Sequence, residues 1–155
     1  MSNSEKVTKK LEYIKEFTEL YGLVGSPDTC ELELVLPMDE FFEWADSGSI
    51  GYNLCIPEPY IPLIHQTFKQ IRDMDEVDEI FIRIMDTNEG MDEDWFSSDT
   101  VYVIGKLTKE RLWDIMNAVK PSISPDEIYE GWGYSVPVNI PYDIPESKVL
   151  SMWWD

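Results

Sequence analysis

Basic side chains are scarce in this chain. Its 155 residues hold 12 Lys and Arg against 31 Asp and Glu, a formal net charge of −19 at pH 7. A surface so acidic repels nucleic acid and anionic membrane, because both are bound through Lys and Arg that neutralise phosphate. Histidine occurs once, at His65, and cysteine twice, at Cys30 and Cys55, with no C-x-x-C spacing. Transition metals favour imidazole and thiolate ligands, so no metal site of that kind is expected. The two separated thiols read as free cysteines in a reducing compartment. No apolar run approaches the ~20 residues of a membrane span. The polar, helix-patterned start "MSNSEKVTKKLEYIK" does not read as a signal peptide. The expected location is therefore cytoplasmic.

Catalytic signatures are missing as well. There is no Walker loop, no dinucleotide fingerprint and no H-E-x-x-H. "SGSIG" (47–51) lacks the first glycine of a nucleophile elbow. "GWGYSV" (131–136) has two glycines and no third, and is expected to follow a short helix, not a strand. A Cys55–His65 nucleophile pair would require the proline-rich stretch between them to fold back. His65 reads instead as a satisfied, partly buried side chain on the edge of a helix's apolar face. Any two of 31 carboxylates could be nominated as acid and base, so that pattern selects nothing. No catalytic residue, metal ligand or cofactor is assigned, and the chain reads as a non-enzyme.

What is present is a globular composition: 43% hydrophobic and 13% aromatic residues, enough at this length for a real core. Val7, Leu11, Ile14, Phe17 and Tyr21 recur at steps of three and four, predicting an amphipathic helix over 5–20 whose outer face carries Lys6, Lys9, Lys10 and Lys15. "CELELVL" (30–36) alternates as a strand, and Pro37 precedes a short acidic helix. A helix is predicted over about 60–73, with Ile61, Ile64, Phe68 and Ile71 inward. "DEIFIRIMD" (78–86) and "DTVYVIGKL" (99–107) read as two more strands, the latter interior. Thr108 is placed to cap a further helix. "SPDE" (124–127) has the form of a capping box, predicting one helical turn that ends at Gly131. A last strand is expected at 148–153, with Trp153 and Trp154 on opposite faces. The fold class is α+β: a single compact domain over 1–155, a mostly antiparallel sheet and three to four packed helices.

The acids cluster. Residues 73–99 hold eleven of them against Arg83 alone. Within this stretch Asp86, Glu89, Asp92, Glu93, Asp94 and Asp99 surround Trp95 in a loop long enough to suggest function. Neither EF-hand register, from Asp86 or from Asp92, places Gly at position 6 and Glu at position 12. Smaller groups are Asp39, Glu40, Glu43 and Asp46 beside Trp44, and Asp126, Glu127 and Glu130 beside Tyr129 and Trp132. Trp and Tyr anchor protein interfaces, and acids around them select a basic partner and speed docking. In charge and size the chain resembles small acidic antitoxin-type proteins, such as immunity proteins that neutralise basic nuclease toxins, although no motif carries that likeness. The leading expectation is a binding protein that docks and inhibits a basic protein, a toxin or nuclease, through Asp86, Glu89, Asp92, Glu93, Asp94, Trp95 and Asp99, with Trp95 exposed. The rivals are a divalent-cation protein using the 86–99 loop and a housekeeping domain whose acidity serves only solubility.

Overall fold

A computed structural model describes residues 2–22, 32–45, 49–50, 61–85 and 95–155. Its described elements are helix α1 (Asn3–Leu20), strand β1 (Val35–Pro37), helix α2 (Met38–Phe42), helix α3 (Ile61–Arg72), strands β2 (Val77–Arg83) and β3 (Thr100–Gly105), helix α4 (Lys109–Asn117), and strands β4 (Glu127–Glu130) and β5 (Val149–Trp153). The strands form one antiparallel sheet in the order β1-β2-β3-β5-β4. The α+β reading holds, with β3 central as its unbroken β-branched and aromatic run predicts.

One face of the sheet carries the helices. Ile80, Ile82 and Ile84, Val101 and Val103, and Leu150 and Met152 meet Ile64, Phe68 and Ile71 of α3, Leu112 and Met116 of α4, and Phe41 of α2 in one buried cluster. Burying each such side chain contributes about 1.5–3 kcal/mol, so this layer dominates the fold's stabilisation. Thr108 caps α4 as expected, its hydroxyl accepting from the Arg111 N–H at 3.2 Å. In α1, Ile14 and Phe17 are buried while Val7 and Leu11 are exposed. The helical period is right, but the amino-terminal half of α1 reaches past the core it was predicted to cover.

The other face is closed too, which alternation within single strands does not disclose. Phe81, Tyr102, Ile104 and Val149 project there and are buried under Trp132, Ile140 and Ile144 from the segment after β4. That segment is tied down just before β1, where the Val138 N–H donates to the Glu33 carbonyl at 2.8 Å.

The expected helical turn at 124–130 is corrected. Glu127–Glu130 is a strand, paired with β5 through Ile128↔Met152 and Tyr129↔Ser151. An isolated turn of helix has little packing to sustain it. The free edge of β5 instead offers ladder bonds and a place for the Ile128 side chain, which is buried in the helix-side cluster. The Ser124 hydroxyl bonds Met116 and Asn117 at the end of α4, leaving the chain extended beyond it.

Candidate functional site

Gly131 ends β4 with φ of 91°, a left-handed conformation that side chains disfavour. This turn swings the chain from the sheet edge onto the outer face. Ser151 of β5 holds it: its hydroxyl donates to the Gly131 carbonyl at 2.6 Å and accepts from the Gly133 N–H at 3.2 Å. Trp132 then lands edge-on against Tyr102, ring centroids 4.7 Å apart and planes at 77°. Its indole N–H finds no acceptor among the described residues, although the side chain is 8% exposed.

Two residues further on, Tyr134 lies over Arg83, with the guanidinium carbon 3.8 Å from the ring centroid. Arg83 is buried, and it donates to Glu33 at 2.8 and 3.3 Å and to Asp99 at 3.1 Å. Burial alone would weaken its hold on the proton. The Glu33 hydrogen bond and the charges of Glu33 and Asp99 outweigh that and push its pKa up, so it stays charged. Burial, helped by Asp99, raises Tyr134, and burial, helped by Glu33, raises Tyr102; both remain neutral phenols.

Between β4, β5 and the 132–134 turn lies an open cavity of about 370 Å³. Tyr129, Trp132, Tyr134 and Trp153 provide aromatic walls; Glu130 also borders the cavity, but its register opposite Leu150 turns its side chain toward the helix-bearing face. Glu127 and Asp126 stand exposed on the same edge of the sheet. Glu127, opposite Trp153 in the register, shares the cavity face, and among the described residues nothing basic lines the cavity.

Of the seven residues read from the sequence as the site, Asp86, Glu89, Asp92, Glu93 and Asp94 lie outside the described residues. Trp95 is a correction. It is 1% exposed, its indole N–H donates to the Phe41 carbonyl at 2.9 Å, and its ring packs on Trp44 and Phe96. Polar sequence neighbours do not keep a side chain outside when α1 and α2 supply an aromatic pocket for it. Asp99 is half-buried, where it accepts from Arg83, Thr100 and Tyr134. Thr100 and Tyr134 both line the cavity, so Asp99 supports its wall. The pairing of acids at 126–130 with Tyr129 and Trp132 was visible in the sequence; the convergence of Tyr134 and Trp153 with them was not.

Two of the acids beside Trp44 are paired within the fold, and Asp46 lies outside the described residues. Asp39 binds Arg72 at 2.6 Å, and Glu40 accepts from Tyr13 at 2.5 Å. His65 is partly buried as expected and stacks on Phe42 at 4.6 Å. Its Nε2 makes no hydrogen bond among the described residues and lies 3.9 Å from Asp39. Among the described residues no three His, Cys, Asp or Glu side chains gather to hold a metal ion, and no helix is long and apolar enough to cross a membrane.

A family model described as the uncharacterized protein YfbO family matches residues 6–152. The chain belongs to that family. The matched span contains the Arg83 cluster and all of the cavity lining except Trp153. No curated protein and no solved structure matches the chain.

Proposed function

We propose that this is a non-enzymatic binding protein that docks a basic protein and, in the manner of an immunity factor, inhibits it. The observation that carries this reading is the aromatic cavity beside Glu127, at an acidic sheet edge, on a chain of net charge −19. Exposed aromatic surface supplies binding energy once desolvated, and the surrounding negative field raises the association rate about 10–10³-fold at low salt. Asp99, which braces the cavity wall, links it in sequence to the acid run Asp86, Glu89, Asp92, Glu93 and Asp94, the second acidic segment this reading assigns to docking.

The test is capture from the source lysate at low and high salt, with wild-type bait and two charge-reversed baits. One bait carries Glu127→Lys and Glu130→Lys; the other carries Asp92→Lys, Glu93→Lys and Asp94→Lys. A basic protein held by wild type at low salt, released at high salt and lost by either reversed bait supports docking and identifies the segment responsible. Capture that ignores both salt and charge reversal, or no capture at either salt, overturns the proposal.

A further inference from the structure

We propose that the amino-terminal half of α1 docks into the cavity between β4, β5 and the 132–134 turn of a second copy of this chain. The inference rests on the docking reading above for that cavity, and it names an occupant that the protein itself carries. Val7 and Leu11 follow the helical period of the buried Ile14 and Thr18, so they share the core-facing side of α1. They are nevertheless 52% and 45% exposed, because the helix runs past the body that covers Ile14 and Phe17. The apolar stripe of an 18-residue helix is thus uncovered over its first turns.

Charge selects the occupant. Residues 2–11 hold Lys6, Lys9 and Lys10 against Glu5, whereas the remaining chain holds nine basic residues against thirty acidic ones. Lys6 and Lys10 flank the stripe of Val7 and Leu11 on the helix surface. Such a helix is complemented by apolar area beside acid. Tyr129 and Tyr134 are exposed in the cavity wall, and Asp126 and Glu127 stand on the same sheet edge. The volume of about 370 Å³ admits apolar side chains such as Val7 and Leu11. Overlap of the two exposed stripes would instead bring Lys6 and Lys10 of both copies together, and like charges oppose it. The donor helix and the acceptor cavity are different surfaces, so the contact closes as a dimer when each copy gives its helix and receives the other's. Salt separates this contact from docking of a basic protein. Two bodies of net charge −19 repel at long range, and at ~0.15 M salt a screening length of about 8 Å largely removes that repulsion. Self-association therefore strengthens from low to physiological salt, whereas capture of a basic partner weakens.

The experiment is sedimentation equilibrium of the whole protein over a concentration series at physiological salt. It is joined to zero-length carbodiimide cross-linking of mixed unlabelled and heavy-isotope-labelled protein, read by mass spectrometry. A concentration-dependent dimer is expected, with mixed-label peptides joining Lys6 or Lys10 to Asp126 or Glu127. Val7→Gln and Leu11→Gln should each weaken the dimer about tenfold, and Lys6→Glu about two- to fivefold. All three residues are exposed, so the variants should keep the wild-type thermal midpoint. A monomer at every concentration overturns the self-association and leaves the docking reading to its own capture test. A dimer without those mixed-label links, or one indifferent to Val7→Gln and Leu11→Gln, overturns this assignment of the contact.

Discussion

The side-chain amide of Asn139 pairs with the backbone of Val35 as a neighbouring strand would. The Val35 N–H donates to Asn139 Oδ1 at 2.9 Å, and Asn139 Nδ2 donates to the Val35 carbonyl at 2.8 Å. β1 lies at the edge of the sheet, where unpaired main-chain groups attract other chains. One asparagine therefore both blocks the edge and pins the segment that covers the outer face. Asn139→Ala should cost about 1–3 kcal/mol in urea denaturation, because it strands two backbone groups of a buried residue. Asn139→Asp retains an acceptor but loses the donor and should fall between wild type and alanine. Wild-type stability in both variants would remove the clasp from the account.

Arg83 answers two carboxylates, Glu33 and Asp99, on the covered face. Arg83→Met should destabilise by about 3–5 kcal/mol, since it leaves buried negative charge without a partner. Adding Glu33→Gln should restore part of that loss, and the double-mutant cycle measures the coupling. A cycle with no coupling would mean that the Arg83 variant acts through packing alone.

Trp95 separates the interface expected from sequence from the core seen in the fold. Trp95→Ala should cost about 3–5 kcal/mol, as for other buried aromatics. The indole emission of the wild-type protein should also resist quenching by iodide more at Trp95 than at Trp153. A variant as stable as wild type would return Trp95 to the surface.

His65 gives the pH dependence a sign. Burial, joined by the charges of Lys69 and Arg72, pulls its pKa below the ordinary imidazole value of 6.5 despite Asp39 nearby. Below 6.5 the unfolded chain binds more protons than the folded one, so stability drops as pH falls from there toward the lowered folded value. Above 6.5 the imidazole is neutral in both states and contributes no slope. His65→Gln should therefore flatten the denaturation midpoint against pH just below 6.5 relative to wild type. Parallel curves for the two proteins would contradict the lowered value.

The strands at 77–83, 100–105 and 149–153 and the helices at 61–72 and 109–117 were legible from hydrophobic period, because each buries its own face. The edge strand at 127–130 was not. Four residues carry a weak local preference, and the pairing offered by β5 decides their conformation.

The candidate site divides in the same way. The acidic character and the lack of catalytic motifs lie in the composition, and Tyr129 and Trp132 beside their acids could be picked out by eye. The cavity itself joins residues from Thr100 to Trp153, brought together by β3–β5 pairing and by the turn at Gly131.

By itself the sequence determined the charge and, for the helices at 61–72 and 109–117 and the strands at 77–83, 100–105 and 149–153, the element type, since these follow from residue chemistry within one or two turns of chain. Only the tertiary structure decided that the second face of the sheet is covered, that Trp95 is inside, and that Asn139 closes an edge 104 residues away. Periodicity records which way a side chain points from its own backbone; burial depends on what arrives from elsewhere to meet it.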